Sequence, residues 1–325
     1  MLKNSIRLLT LCFAAAVLAA CGTDIAPPHL RPLSKDAMML LGKKGMKSES
    51  RIFVRIFKEE SELEIWKARD DGRYYHFKTY PICMWSGELG PKMRQGDKQA
   101  PEGFYTITNR QMNPKSGFYL SFNLGFPNAY DRVHGRTGDF LMVHGKCISA
   151  GCYAMTDGLV EEIYALAREQ FGAGQDSFEV HAFPFRMTAE NMERHKGHKW
   201  YSFWQQLKEG YDHFEVARQP PRIAVCERRY VVNPEFRDAN VSRLDPAGRC
   251  PAYQRVAPAP FVPQPNDKVA LMPHVVVPGL KKRDLMMSAI PTLGRPMGLG
   301  AGQLGAGQLE AAPEPVQSTP IPPSK

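Results

Sequence analysis

The stretch from Phe140 to Asp157 reads FLMVHGKCISAGCYAMTD, and it restricts the fold more than any other part of the chain. Four successive apolar residues, Phe140-Leu141-Met142-Val143, suit a strand buried within a sheet. A short glycine-containing loop follows His144 and ends at Cys152. From there Leu159, Ile163, Leu166, Ala167 and Phe171 recur at helical spacing, until Gly172 and Gly174 stop the pattern. A strand thus delivers a histidine, and a cysteine sits where a helix is expected to begin. A thiol at a helix N-terminus ionises more easily, because the helix dipole favours the thiolate. A nearby imidazole can take the proton and return it later.

The flanking pattern predicts a mostly β fold with packed helices, a β-rich α+β class. Strands are expected over 52–57 and 63–68, joined through an acidic turn at 59–62, and over 74–85. Further strands are expected over 104–108, 118–124 and 177–185, with a small closing pair within 222–232. Thr188 reads as an N-cap for a helix interrupted near Gly197. Trp200, Phe203, Trp204 and Leu207 share one face of it, as core residues rather than a ligand box. Beyond about residue 240 the composition changes. Fifteen of the 27 prolines lie at or after Pro246, and Gly-Ala-Gly-Gln-Leu occurs twice in succession at 300–309. Residues 241–325 are therefore expected to form an unordered tail. Residues 21–50 are expected to be a tether with a short helix near 36–41. That leaves 51–240 as the folded domain, long enough for a proper core.

The first twenty residues have a basic start, Lys3 and Arg7, and then an apolar run over 8–20, short for a membrane-spanning helix. Leu18-Ala19-Ala20-Cys21 resembles the bacterial lipoprotein signal, which implies cleavage before Cys21 and lipidation of its thiol. The expected location is the periplasm, on a membrane anchor, the outer membrane in a Gram-negative cell. Losing Lys3 and Arg7 takes the net charge from +9 to +7. That basic surface suits an anionic wall or lipid headgroups, and the chain carries no nucleic-acid motif. With Cys12 removed and Cys21 lipidated, Cys83, Cys147, Cys152, Cys226 and Cys250 remain. An odd number in an oxidising compartment leaves at least one thiol over. Cys226 with Cys250 is a plausible bridge. Cys147 is either a packed bystander, the preferred reading, or a regulatory partner of Cys152. No cysteine or histidine spacing forms a metal site, and neither metal nor cofactor is expected.

Three motifs together resemble the L,D-transpeptidase catalytic (YkuD-type) family. They are APEGFYTI at 100–107, LMVHG at 141–145 and SAGC at 149–152, and the run over 126–157 is closer to the YafK-like branch. The resemblance spans about 50–235 and implies a β-sandwich catalytic domain. It implies a cysteine that attacks a peptidoglycan stem peptide and forms a thioester, which an amine or water then resolves. On that resemblance Cys152 is the nucleophile and His144 the proton donor and acceptor. His134 is the alternative base: its distance from Cys152 fits the wider family better, whereas His144 has the apolar strand behind it. Gly151 supplies an oxyanion amide. Ser149 orients the loop or the imidazole, or is a plain turn hydroxyl. Arg136 and Tyr153 are the candidate substrate contacts. Ala154 stands where many members carry Arg or Asn, and the His144–Cys152 loop is short. Both departures leave the acyl acceptor open. The alternatives are an amidase that cleaves peptidoglycan-linked lipoprotein and a non-catalytic wall-binding lipoprotein.

Overall fold

A computed structural model describes residues 26–237 and 244–272. Cys21, the signal segment and the Gly-Ala-Gly-Gln-Leu pair lie outside the described residues. In chain order the first elements are α1 (Lys35–Lys43), β1 (Ile52–Phe57), β2 (Glu62–Ala68), β3 (Tyr74–Pro81) and β4 (Met84–Trp85). Next come β5 (Gly103–Thr108), β6 (Met112–Asn113), β7 (Ser121–Asn123), α2 (Ala129–Val133), β8 (Met142–His144) and β9 (Tyr153–Ala154). The remainder is α3 (Asp157–Gly172), β10 (Ser177–Phe183), α4 (Ala189–Arg194), α5 (Tyr201–Ala217), β11 (Ile223–Cys226), β12 (Arg229–Val232), β13 (Pro234–Phe236) and β14 (Tyr253–Arg255).

Two five-stranded sheets carry the domain, in the orders β3-β2-β1-β10-β5 and β4-β9-β8-β7-β6. Each is antiparallel except for one parallel pair, β1 with β10 and β8 with β9. This is the mostly β class with packed helices. The strand period explains the layering. In β1, Ile52, Val54 and Ile56 enter the main core, while Phe53 and Phe57 face the other way. The main core joins both sheets, with Val180 and Tyr105 from the first and Phe122, Val143 and Tyr153 from the second, and α3 closes it with Val160, Ile163 and Leu166. The outer face of the first sheet is covered by α5, through Phe203, Trp204, Leu207 and Phe214. The aromatic stripe is therefore core. The helix expected to start at Thr188 becomes α4, capped by the Thr188 hydroxyl accepting from Asn191 N–H, and α5 begins after the break.

Three expectations are corrected. The single strand over 74–85 divides into β3 and β4, which belong to different sheets. The break at Ile82-Cys83 lets Cys83 N–H reach Ala154 O across to the second sheet. Residues 26–50 are more than a tether, because Leu33, Ala37, Leu41 and Met46 are buried in the main core. Residues 244–272 likewise lie on the domain. Cys250 is bridged to Cys226, Phe261 packs on the core, and Asp267 is buried against Arg69 and Tyr75. Scattered prolines do not prevent an extended strap from docking, since its contacts come from a few side chains rather than a periodic face.

Candidate active site

β8 and β9 run parallel at the centre of the second sheet, with Val143 opposite Tyr153 and His144 opposite Ala154. Cys152 lies one residue before that paired stretch. Its Sγ accepts from Met142 N–H at 3.4 Å and donates to Phe140 O at 3.5 Å. Cys152 is the free cysteine among the described residues, because Cys83 is bridged to Cys147 and Cys226 to Cys250. The thiol is part-buried, and burial pushes its pKa above the usual value. The Met142 N–H and the charge of Lys92 pull it back down.

The helix does not supply that pull. α3 starts at Asp157, after Cys152 and the two residues of β9, and its first-turn carboxylate is already occupied: Asp157 Oδ1 accepts from Lys146 N–H at 2.8 Å. The expected dipole effect on Cys152 is replaced by the single cation of Lys92. Lys92 is itself buried and paired with Asp97. A cation from a distant loop has no pattern around Cys152 to announce it, and sequence reasoning missed it.

His144 is buried, with its ring against Phe118 at 4.7 Å. Its Nδ1 lies 2.6 Å from Gly145 O. A carbonyl only accepts, so Nδ1 carries the proton and the lone pair sits on Nε2. Burial holds the imidazole below its ordinary pKa and keeps it neutral. His144 ends β8 and Cys152 immediately precedes its neighbour β9, but their side chains do not hydrogen-bond to each other in this structure. His134 caps the end of α2, lies tilted against the Tyr130 ring at 4.3 Å and contacts Arg228 O at 2.8 Å. It shares no neighbour with Cys152 in these contacts.

The loop between them is built for rigidity. Ser149 Oγ accepts from Gly151 N–H at 3.2 Å and donates to Cys152 O at 2.7 Å. Ser149 therefore ties the loop to its own backbone, rather than contacting the imidazole. The Gly151 amide, expected to face an oxyanion, is held by that hydroxyl. Gly151 has φ of +134°, and a side chain there would point at Gln99 O and Leu141. The Cys83–Cys147 bridge holds the other side of the loop, which corrects the reading of Cys147 as a bystander or partner of Cys152.

Opposite the loop lies the segment over 86–102, fixed from below by a buried ion pair. Lys58 Nζ donates to Glu102 Oε1 at 2.9 Å and to the carbonyls of Glu88, Gly90 and Ala100. Glu102 also accepts from Trp204 Nε1 at 2.8 Å and from Gly90 N–H at 2.6 Å. Both ends of the segment are thereby pinned to the outer layer of the domain.

Neither expected substrate contact is available. Tyr153 is fully buried, with its hydroxyl donating to Pro101 O at 2.6 Å. Arg136 is 4% exposed, pairs with Asp131 at 2.8 Å and lies against the rings of Tyr130 and Phe203. Alternation explains Tyr153: the residue after an outward-facing Cys152 must face inward. Ala154 is also fully buried. Among the described residues, no group of three or more metal-ligating side chains converges.

Comparison with known proteins places these residues in a family. The YkuD family, the L,D-transpeptidase catalytic domain, matches residues 52–176, a span that holds both His144 and Cys152. The chain is 48% identical over 184 residues to "Putative L,D-transpeptidase YafK" of Escherichia coli K12, covering 57% of this chain and 74% of that protein. The chain belongs to the L,D-transpeptidase catalytic domain family. Two solved structures are more distant. The helical cell shape determining protein Pgp2 of Campylobacter jejuni, in a mutant form, has a TM-score of 0.34 and 18% identity, covering 58% of this chain and 65% of that one. Bd1075 of Bdellovibrio bacteriovorus has a TM-score of 0.29 and 16% identity, covering 62% of this chain and 83% of that one. The family acts on peptidoglycan, and this member presents its free thiol immediately before β9, the parallel neighbour of the strand that carries His144.

Proposed function

We propose that this chain is a cysteine acyltransferase of the bacterial cell wall, acting on peptidoglycan stem peptides through a thioester on Cys152. The observation that carries the reading is the selective exemption of Cys152. Four of the five cysteines in the described residues are tied in pairs, and the free one sits beside the β8–β9 pair with His144 on the neighbouring strand. In this reading His144 Nε2 takes the thiol proton as Sγ attacks the carbonyl, and returns it to the departing amine. Lys92 lowers the cost of the thiolate. An amine then resolves the thioester to a crosslink, or water resolves it to a free carboxylate. The paired cysteines suit an oxidising compartment, which supports export, and Cys21 is the proposed lipid anchor in the periplasm.

The test is incubation of the wild-type chain and Cys152→Ala with purified muropeptides. The expected outcome is an acyl-enzyme mass on Cys152 and new crosslinked dimers, both lost in the variant. Shortened or released peptides without dimers would instead assign hydrolysis, including cleavage of lipoprotein–peptidoglycan links. Equal products from Cys152→Ala would remove Cys152 as the nucleophile, and no product and no acyl-enzyme from the wild type would end the proposal in favour of a wall-binding role. Metabolic labelling with palmitate, wild type against Cys21→Ser, tests the anchor.

A further inference from the structure

The domain is leashed far more tightly than a tether over 21–50 would leave it. Residues 22–25 alone separate Cys21 from Ala26, the first described residue, and a chain of that length spans at most ~18 Å. From Ala26 onward the chain is fastened down. Arg31 Nε donates to Ala26 O at 3.1 Å, and Arg31 Nη1 pairs with Glu161 at 2.9 Å. Arg168 Nη1 donates to His29 O at 2.7 Å and to Arg31 O at 2.9 Å, and Leu33 is buried in the main core. With Cys21 as the lipid anchor, the reading on which this inference rests, the face that carries residues 26–43 is held beside the bilayer.

That face has the make-up of a bilayer contact. α1 turns Ala37 and Leu41 into the core, and Lys35, Met38, Met39, Gly42 and Lys43 are exposed. Spacings of three and four residues put these five on one outward stripe. Met38 is 47% exposed and Met39 65%; Leu30, at the end of the 3-10 turn Pro28–Leu30 just before α1, is 56% exposed. Lys35 and Lys43 flank the methionines and form no ion pair among the described residues. Lys47 is offset by Asp70, and Lys44 points inward to His76 O and Phe77 O. Over 26–47 Asp36 is the one acid, against Arg31, Lys35, Lys43, Lys44 and Lys47. Methionine and leucine side chains offer nothing that the hydroxyls and amides of the wall can bond. Between lysines they suit the boundary of anionic headgroups and acyl chains, where the apolar groups bury and the ammonium groups stay among phosphates.

We propose that Leu30, Met38 and Met39, with Lys35 and Lys43, form a second membrane contact that seats the domain on an anionic lipid bilayer. The short leash keeps this face at high local concentration beside the bilayer, so a weak contact is enough to hold one orientation. The test uses residues 22–325, which keep every described residue and lack Cys21, sedimented with phosphatidylcholine vesicles with and without phosphatidylglycerol. The expected result is binding to the anionic vesicles that added salt weakens. Met38→Ser with Met39→Ser is expected to lower that partitioning by about tenfold. Lys35→Gln with Lys43→Gln is expected to lower it by about tenfold or more on anionic vesicles and to leave neutral vesicles unaffected. Val216→Ser, which removes an exposed apolar side chain on α5, is expected to change neither. All five substituted side chains are exposed, and an unchanged thermal midpoint checks that each variant is folded. Palmitate labelling of the full chain reads the anchor separately: vesicle binding by 22–325 without acylation of Cys21 would remove the anchor and keep this surface. No sedimentation of unaltered 22–325 with anionic vesicles, partitioning indifferent to the methionine substitutions, or an equal loss in Val216→Ser would each overturn the proposal.

Discussion

Cys152 is a thiol that its surroundings both suppress and rescue. Burial raises its pKa, and Met142 N–H and Lys92 lower it, so the thiolate is a minor form at neutral pH. Alkylation of Cys152 by iodoacetamide should accelerate as pH climbs toward and past 9. Lys92→Gln should slow that alkylation at pH 7.5 by roughly three- to tenfold, with little change at high pH, where the thiolate forms without help. A rate at pH 7.5 equal to wild type would remove Lys92 from the account. The two histidines separate on contacts. His144 ends β8, whose parallel partner β9 begins directly after Cys152, and His134 is spent on Tyr130 and Arg228. His144→Ala should cut turnover by roughly 10²–10⁴, and His134→Ala by no more than a few-fold. The reverse ranking in a muropeptide assay would move the base to His134.

At the scale of elements, the loop over 145–151 has two anchors that its own sequence does not reveal. One is the Cys83–Cys147 bridge, which closes a 64-residue separation. Replacing both cysteines by serine should lower stability by about 2–4 kcal/mol, measured by urea unfolding with Cys152 blocked. Activity should fall further than stability, because the loop that presents Cys152 loses its hold on the β3–β4 junction. The second anchor is the segment over 86–102, held through Lys58 and Glu102, both fully buried. Glu102→Ala leaves the Lys58 ammonium buried without its partner. The expected cost is about 3–5 kcal/mol, read from the same unfolding curve, and a loss under 1 kcal/mol would show that water replaces the carboxylate.

At the scale of the whole molecule, the termini of the described chain belong to the domain. Truncation after Val256 keeps the Cys226–Cys250 bridge but removes Phe261 and the buried Asp267 that pairs with Arg69. It should lower stability by about 2–4 kcal/mol, seen as a drop in the thermal midpoint. Glu179 gives the domain a pH signature. Its folded pKa of about 7 lies above the unfolded carboxylate value of ~4.3, so the folded state binds more protons between those values. The Glu179 contribution is therefore fully present below ~4.3 and is lost as pH rises through about 7. Glu179→Gln should gain about 1 kcal/mol over wild type at pH 8 and nothing at pH 4, since water reaching the half-exposed carboxylate screens most of its burial cost. Parallel stability curves across that range would contradict the assignment.

The sequence by itself determined what depends on local pattern. Short β-rich runs bounded by turn residues marked β1, β2, β5 and β10, the 3.6-residue period marked α3, and the Phe140–Asp157 stretch brought strand, His144 and Cys152 into one unit. Those signals are local because each follows from how one backbone conformation turns its own side chains. The tertiary structure decided the rest. It paired Cys83 with Cys147, withdrew Arg136 and Tyr153 into the interior, spent the Gly151 amide on Ser149 and brought Lys92 to the thiol. It also docked 26–50 and 244–272 onto a core that neither segment could build alone. Each of these depends on which groups come together across tens of residues, and burial and charge act through that proximity rather than through spacing along the chain.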